Sequence, residues 1–407
     1  MCFLAAFVCY IDRVNISVAA IAMQEEFGWS ETVKGLVLSS FFVGYMIFQV
    51  PSGWLASRHG GKLVLGAAVL WWSVFTILTP AAAAISLPLL VAARIALGLG
   101  EAATFPAAWA VLGRWVPAQE RSRAIALCLS GIPLGTLFAL TATGWLITRY
   151  GWPSVFYAFG AVGLAWTLIW AWWVHDDPRR HPSIGPGERA LLEEIRLADD
   201  DAKPAVPWKQ LLRTRAFWAL FINHFCSNWA LYVLLTWLPS YFRSAQNLSI
   251  ANAGLYSAAP WLTMFVMSNV AGWIADSLIR RGVDLTRVRK LMQCTGLIGP
   301  AVFLLLARGA ASPNEAVLLM CGALGALAFT WAGYAVNHLE IAPRHAPVLI
   351  GVTNTAGTVP GIIGVSVTGW LVDVTGTYAS AFVLAAAVCV IGAVVWLAFA
   401  TSKRVID

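Results

Sequence analysis

Long apolar runs alternate with short polar joints along almost the whole chain. A helix that spans a bilayer needs about 20 consecutive, mainly apolar residues, and twelve runs are long enough. The joints between them are charged or rich in Pro and Gly. The pattern therefore predicts an all-α membrane protein with twelve transmembrane helices. These begin near Met1, Lys34, Lys62, Leu87, Arg121, Pro153, Arg215, Ile250, Val288, Pro313, Pro347 and Tyr378.

One long polar stretch, 175–210, divides the runs into six and six. Its Pro, Gly and Asp content is typical of a linker, and a short helix is predicted over 186–197. We therefore predict a six-helix bundle over 1–175, a linker over 176–214, a second six-helix bundle over 215–402 and a tail over 403–407.

Short motifs recur between the two predicted bundles. GWLA at Gly53 returns as GWIA at Gly272, and TGWL at Thr143 returns at Thr368. A single offset relates Pro117, Gly131 and Gly135 to Pro343, Gly357 and Gly361. The repeats favour two pseudo-symmetric bundles. Duplicated transporters of this kind bind substrate near mid-membrane, where the two halves rock about the site.

Composition and charge agree with a membrane protein. Hydrophobic residues make up 59% of the chain and charged residues only 12%, too few to cover the surface of a soluble protein of this size. Most Lys and Arg fall on alternate joints, which places both termini and the linker in the cytoplasm or stroma by the positive-inside rule. The net charge of +7 is therefore a topology signal, and no nucleic-acid partner is predicted.

Other sequence features narrow the cofactor and location predictions. The seven Cys residues have no paired spacing, so neither a metal site nor a disulfide framework nor any cofactor is predicted. Met1 lies directly against the first apolar run, so either no targeting segment is needed or it precedes this sequence. Asn247-Leu248-Ser249 is a glycosylation acceptor on the non-cytoplasmic side, used only in the secretory pathway.

Four charged residues fall within the predicted spans: Asp12, Arg13, Arg94 and Glu101. A charge at the centre of an isolated spanning helix costs about 2.5 to 3.5 kcal/mol, so these side chains are expected to face a protein interior or a wet cavity. Arg94 and Glu101 are two turns apart on one helical face. Asp12 and Arg13 point in different directions.

We interpret this set as an anion and proton site. Asp12 is expected to approach Arg94, which leaves Arg13 free to bind a substrate anion through its bidentate fork. Burial favours the neutral form of a carboxyl group, so Glu101 is a candidate proton carrier. The alternative is an ionic network that only locks the first and fourth spans together.

The second predicted bundle offers polar and aromatic candidates. His224, Asn228 and Tyr232 share one helical stripe at steps of four, and Asn354 and Thr355 lie beside Gly357. His224 is either a gate or a satisfied interior histidine. Near the end of the tenth span, Asn337, His338 and Glu340 are interpreted as a structural cap or a gate, with substrate contact as the alternative.

The loop GWLASRHGGK at 53–62 resembles the loop signature of the major facilitator superfamily, with Ser57 in place of the usual acid. The second copy keeps the acid as Asp276. Further stretches resemble the anion–cation symporter branch, which includes solute carrier family 17, and are closest in pattern to plant plastid anion and phosphate transporters. These stretches include DRVNISVA, ARIALGLGEAATFPA and NHLEIAPRHAPVLIGVTNTAG.

The resemblance implies roles for particular residues. It implies that Arg13 binds the anion, that Asp12 and Glu101 couple protons, and that Tyr45 and Asn354 contact the substrate. It also implies gating roles for Arg58 and Asp276 in the two loop copies. Ser227 stands where animal vesicular members carry an arginine, which counts against glutamate handling of their type.

The leading hypothesis is symport of a small anion with H⁺ or Na⁺ by a monomer, with inorganic phosphate as first choice. Moving one elementary charge through 100 mV costs about 2.3 kcal/mol, so anion accumulation on a negative side requires cations to enter as well. An organic anion such as ascorbate, glutamate or a sugar acid, and facilitated uniport, remain alternatives. A transporter-like anion receptor is a more remote one.

No catalytic motif points to an enzyme, since the chain lacks a phosphate-cradling loop, an H-E-x-x-H pattern and a nucleophile elbow. The expected location is a plastid membrane in a plant or alga, and otherwise a plasma or inner membrane.

Overall fold

The computed structural model describes residues 1–116, 118–175, 185, 187 and 207–405. These residues form fifteen α-helices and no β-strand. The helices are α1 Cys2–Phe27, α2 Glu31–His59, α3 Gly61–Ile85, α4 Leu87–Glu101, α5 Thr104–Trp115, α6 Ala118–Tyr150, α7 Pro153–Trp173, α8 Trp208–Arg213, α9 Arg215–Ser244, α10 Ile250–Arg280, α11 Leu285–Ala307, α12 Pro313–Leu327, α13 Tyr334–Ile341, α14 Ala346–Thr375 and α15 Ala379–Phe399.

The predicted all-α membrane fold is confirmed. Twelve helical segments of the described chain are long and apolar enough to cross a membrane. The fourth span consists of α4 and α5 and the tenth of α12 and α13, while α8 is a short helix before the seventh span. The short helix predicted over 186–197 lies outside the described residues.

Several helices begin where a short polar side chain accepts a hydrogen bond from the first turn. Ser86 caps α4, Ser249 caps α10, Asp284 caps α11 and Ser312 caps α12. A capping oxygen satisfies one of the four N–H groups that a helix leaves open at its start. These caps explain why the predicted starts at Leu87, Ile250 and Pro313 agree with the observed helices.

Two spans at corresponding positions of the predicted repeat are interrupted. In the fourth span, α4 ends at Glu101 and α5 begins at Thr104. In the tenth, a 3₁₀ turn over Ala328–Trp331 separates α12 from α13. Interrupted spans in matching positions are a pointer to a binding site in transporters with internal repeats. The first break falls directly at one of the predicted site residues.

The described chain folds into two compact units. The first contains Met1–Asn15, Ser40–Ala142 and Arg149–Lys203, and the second contains Ile16–Ser39, Thr143–Thr148 and Pro204–Asp407. These units differ from the predicted sequence halves, because α1, α2 and α6 each contribute part of their length to each unit. The division into two pseudo-symmetric six-helix bundles stays a prediction.

Within the first unit, glycines bring the second and fourth spans into backbone contact. A Cβ added at Gly98 would collide with the carbonyl oxygen of Phe41, and one added at Gly44 would collide with that of Ile95. Small residues allow such close approach between membrane helices. This contact places Phe41 and Tyr45 of α2 next to the segment of α4 that carries Arg94 and Glu101.

Candidate functional site

A buried ion pair joins the first and fourth spans within the first unit. Arg13 Nε donates to Glu101 Oε2 at 3.0 Å, and the Cys9 thiol donates to the same oxygen at 3.2 Å. Glu101 is fully buried, and Arg13 is only 6% exposed. The other carboxylate oxygen of Glu101, Oε1, has no hydrogen-bond partner in the described part of the chain. The contact is charge-assisted, but it uses only one oxygen of the carboxylate.

Three aromatic rings surround the Arg13 guanidinium. Its Cζ lies 4.7 Å from the ring centroid of Tyr10, 5.0 Å from that of Phe41 and 4.8 Å from that of Tyr45. Arg13 Nη1 also donates to the Tyr10 hydroxyl at 3.3 Å. Aromatic faces stabilise a cation without neutralising it. The structure thus places Tyr45, a predicted substrate contact, directly on the predicted anion-binding group.

The expectation that Arg13 has no acidic partner is wrong, and Asp12 makes its hydrogen bond with the third span instead of with Arg94. Asp12 Oδ2 accepts this bond from the Trp72 indole at 3.1 Å. Adjacent helical residues point about 100° apart, so Asp12 faces the third span when Arg13 faces the fourth. Asp12 Oδ1 and Arg94 Nε and Nη1 have no hydrogen-bond partner among the described residues.

Arg94 nevertheless lies close to the same group of residues. Its Cζ is 5.6 Å from the ring centroid of Phe41, whose ring also contacts Arg13. Asp12 and Arg94 are both almost completely buried, and their opposite charges attract each other without a direct bond. We name Asp12, Arg13, Arg94 and Glu101 the charged cluster. It contains two acids and two bases, and three of these buried groups are not fully bonded.

In the second unit, two predicted gating histidines meet at one hydroxyl group. Thr353 Oγ1 lies 3.2 Å from His224 Nδ1 and 2.8 Å from His338 Nε2. The residues come from the seventh, tenth and eleventh spans and are all buried. We name His224, Thr353 and His338 the histidine cluster. Sequence reasoning missed Thr353, although it is adjacent to the predicted Asn354.

The other polar candidates of the second unit differ in the hydrogen bonds that their side chains already make. Asn228 donates to the Gly357 carbonyl at 2.8 Å, and the Thr355 hydroxyl donates to the Gly351 carbonyl at 3.1 Å. Tyr232 is buried. The Asn354 amide is half-buried and makes no side-chain hydrogen bond within the described residues. Asn354 is therefore the polar candidate best placed to accept a new partner.

The two loop residues predicted to gate lie at the surface. Arg58 is exposed, and its Cζ lies 5.2 Å from the ring centroid of Trp54. Asp276 is exposed and forms no ion pair within the described residues.

Sequence reasoning missed a contact between the start of α2 and the end of α14. The Asp373 carboxylate accepts hydrogen bonds from the backbone N–H groups of Glu31 at 2.8 Å and Thr32 at 2.7 Å, and from the Thr32 hydroxyl. All three residues belong to the second unit. The sequence did contain a signal. Asp373 is in the last turn of its helix, where a negative charge is unfavourable to that helix's dipole, which suggests that it interacts with another helix.

Two further buried cations lie near helix ends. Lys34, near which the second span was predicted to begin, is in the first turn of α2, with its Nζ 2.6 Å from Glu31 Oε2 and 2.7 Å from Gln24 Oε1. Arg289 pairs with Glu340 at 2.6 Å. Asn337 donates to Glu340 and to the Thr401 carbonyl, an arrangement that fits the interpretation of Asn337 and Glu340 as a cap.

No group of His, Cys, Asp and Glu in the described residues has the arrangement of a metal site. Twelve apolar helices with ionisable groups buried among them define a class of protein, the multi-pass helical transporter, because such groups mark substrate and ion paths in membranes. The chain belongs to the Major Facilitator Superfamily, whose family model matches residues 2–365. It is a transporter and not an enzyme.

Similar proteins include several plant transporters. Over its whole length the chain is 43% identical to "Probable anion transporter 4, chloroplastic" of Oryza sativa subsp. japonica, covering 68% of that protein. It is 42% identical to "Sodium-dependent phosphate transport protein 1, chloroplastic" and 42% identical to "Ascorbate transporter, chloroplastic", both of Arabidopsis thaliana. Of these it covers 79% and 75%.

Solved structures show the same fold at low sequence identity. The inward open xylose transporter XylE from E. coli superposes with a TM-score of 0.79 at 16% identity, covering 98% of this chain and 95% of that one. A bacterial homolog of the human lysosomal transporter Spinster gives 0.76 at 18% identity, with the same coverage. At these identities the likeness defines the fold alone.

Proposed function

We propose that this chain carries a small anion across a membrane together with a cation, by alternating access. One observation supports this above the others: the buried Arg13 guanidinium lies among aromatic rings and is paired with a single oxygen of Glu101. A caged cation with one removable counter-charge is suited to exchanging that counter-charge for a substrate anion.

Coupling between proton and anion follows because Glu101 and the substrate anion compete for Arg13. When Glu101 takes up a proton, its carboxyl group becomes neutral and the Coulomb attraction to Arg13 is lost. The guanidinium then needs another anion, because an unpaired buried charge is strongly unfavourable. Proton and anion therefore favour each other's binding, and such coupling is reciprocal by thermodynamic linkage.

Asp12 and Arg94 offer further atoms that could bind a proton or an anion. Asp12 has one carboxylate oxygen without a partner, and Arg94 has two nitrogens without one, within the described chain. An unsatisfied acid oxygen is a second place for the coupling proton, and the unsatisfied guanidinium is a second donor group for the anion. We propose ion coupling by Asp12, Arg94 and Glu101, with Na⁺ as the alternative cation.

The donor set fits oxyanions as a class. Arginine binds both phosphate and carboxylate oxygens bidentately, and Tyr45, Asn228, Tyr232, Asn354 and Thr355 would add neutral polar contacts. Inorganic phosphate is our first choice because a relative at 42% identity is named a phosphate transport protein. An organic anion is second, because another is named an ascorbate transporter. The chloroplastic relatives lead us to propose a plastid membrane.

Gating would involve groups at the ends of the spans. We propose that the Asp373 cap on α2 breaks and re-forms during the cycle, since it joins two helix ends through exposed hydrogen bonds. Arg58 and Asp276 are proposed to act at the loops of the two repeats. By the positive-inside rule, the termini would lie on the cytoplasmic or stromal side.

The deciding experiment uses purified protein in proteoliposomes with labelled phosphate, ascorbate, glutamate and a sugar acid. Each anion is tested with an imposed H⁺ gradient, with an imposed Na⁺ gradient and with neither, at clamped membrane potential. We expect accumulation of one anion above equilibrium only with a cation gradient. Uptake that only equilibrates would indicate uniport, and binding without uptake would indicate a receptor.

A further inference from the structure

The hydrogen bonds of the histidine cluster have a direction that the carbonyl group at one end determines. His338 Nδ1 lies 3.0 Å from the Ala335 carbonyl oxygen. A carbonyl only accepts hydrogen bonds, so this nitrogen carries a proton. In neutral His338 the other nitrogen, Nε2, is then a bare acceptor. It receives the Thr353 hydroxyl proton over 2.8 Å, in preference to the Ile350 carbonyl oxygen, which lies farther from the same hydroxyl at 3.2 Å.

The direction continues to His224. Because the Thr353 hydroxyl proton points to His338, its oxygen accepts from His224 Nδ1 over 3.2 Å. His224 is neutral with Nδ1 protonated, so its Nε2 carries a lone pair. No hydrogen-bond partner of this nitrogen lies among the described residues. The cluster thus forms an ordered chain that begins at an open proton acceptor and ends at a fixed carbonyl.

We propose that His224, Thr353 and His338 form a proton relay. A proton that binds His224 Nε2 releases the Nδ1 proton of that ring to Thr353 Oγ1. Thr353 in turn passes its own proton to His338 Nε2, which leaves an imidazolium at His338. One proton enters, two move by one position, and no other reactant is needed. In the resulting state Thr353 donates to His224 and accepts from His338.

The groups around the two histidines are neutral or aromatic. Tyr334 has its ring centroid 5.0 Å from that of His224, and the two histidine rings are 6.4 Å apart. Asn228 and Gly357 are neutral neighbours. No described carboxylate or cation contacts either histidine. A proton in the relay therefore has no fixed counter-charge, and an accompanying anion is its natural partner.

The two histidines lie at different distances from the ends of their spans. His224 is nine residues into the seventh span, which is about 14 Å along the helix axis at 1.5 Å per residue. His338 is in the last turn of the tenth span, which ends at Ile341. The relay would lead from the membrane interior toward one helix end. Its part in transport rests on the proposed proton-coupled function.

The test compares Thr353→Val with Thr353→Ser. Valine keeps the volume and removes the hydroxyl, whereas serine keeps the hydroxyl and loses a methyl group. In proteoliposomes we expect Thr353→Val to lower proton-driven anion accumulation about tenfold, with counterflow exchange at equal pH within about twofold. Thr353→Ser should behave as the wild type. Equal defects in both variants, or proton coupling unchanged in Thr353→Val, would overturn the relay.

A second readout does not depend on transport. Histidine ring NMR of the purified, ¹⁵N-labelled protein, assigned with His224→Gln and His338→Gln, follows both rings through a pH titration. We expect the two rings to change together in the wild type and in Thr353→Ser, and independently in Thr353→Val. Independent titration in the wild type rules the relay out. If the two rings titrate together but the protein transports no anion in proteoliposomes, the relay stands and the proposed transport function is refuted.

Discussion

The charged cluster of the first unit and the histidine cluster of the second bury polar groups in opposite ways. The charged cluster holds four ionisable groups, with one ion pair and several nitrogens and oxygens that lack partners in the described chain. The histidine cluster is neutral and its inner hydrogen bonds are complete. Missing hydrogen bonds in the first cluster leave room for a ligand, whereas the continuous chain of hydrogen bonds in the second favours passing a proton along.

The two clusters should also differ in which transport parameter a substitution changes. Removing a buried charge leaves its partner uncompensated, which is far more damaging than removing one neutral hydrogen bond. Substitutions in the charged cluster should therefore abolish transport or uncouple it. Substitutions at neutral positions of the second unit outside the histidine cluster should instead shift affinity. Four substitutions, in order of decreasing effect, test this contrast.

The largest effect is expected for Arg13→Ala. Loss of the guanidinium removes the proposed anion ligand and leaves Glu101 without its ion-pair partner. Uptake in proteoliposomes should fall about a hundredfold or more, to background, which corresponds to at least about 2.7 kcal/mol. Arg280→Ala, at an exposed arginine, is the matched control. Size-exclusion profiles show whether each variant folds. Wild-type uptake by a folded Arg13→Ala protein would refute the assignment.

Glu101→Gln should separate accumulation from exchange. The amide keeps the shape of the side chain but neither carries a negative charge nor takes up the coupling proton. We expect uphill accumulation to fall about tenfold while counterflow exchange stays within about threefold. Exposed Glu120 provides the control variant Glu120→Gln. If accumulation and exchange fall equally, Glu101 has a structural role and the competition mechanism fails.

A smaller effect is expected for Asn354→Ala in the second unit. The Asn354 amide has no partner within the described residues, so its removal breaks no internal hydrogen bond. The Michaelis constant for the anion should rise about three- to tenfold, the equivalent of one hydrogen bond, with little change in maximal rate. Asn252→Ala, at an exposed position, should leave both parameters unchanged. A hundredfold loss of maximal rate would erase the contrast between the two regions.

The smallest effect is expected for Asp373→Ala. The exposed carboxylate caps α2, and water competes for its donors, so the loss of stability should stay below about 1 kcal/mol. Asp284→Ala removes the side chain that caps the N-terminus of its own helix, α11, and serves as the matched control. The midpoint temperature of thermal unfolding should be lowered by similar small amounts in both variants. Only Asp373→Ala should also change the labelling rate of a cysteine introduced at Thr32; equal labelling in both would leave Asp373 without a gating role.

Several features followed from the sequence because they depend on local pattern. Apolar run length determines whether a helix can span a bilayer, and caps such as Ser86 mark where a helix begins. The charge of Arg13 and Glu101 in apolar runs was enough to predict that they are buried. These properties need only neighbouring residues.

The partners of those residues could not be predicted in the same way. Arg13 pairs with a residue 88 positions away, and Glu31 with one 342 positions away. Helical periodicity gives the direction of a side chain on its own helix but not which helix lies opposite. Asp12 illustrates this: it was expected to approach Arg94, and the two charges do attract each other, but its hydrogen bond comes from Trp72 of the third span.

By itself, the sequence determined a twelve-helix membrane chain with four charges inside it, because hydropathy and spacing act over a few turns. The tertiary structure decided which charges pair, that Asp373 caps α2, and that two histidines share the Thr353 hydroxyl. Each of these contacts depends on how distant helices pack, and atomic distances between them exist only once the chain is folded.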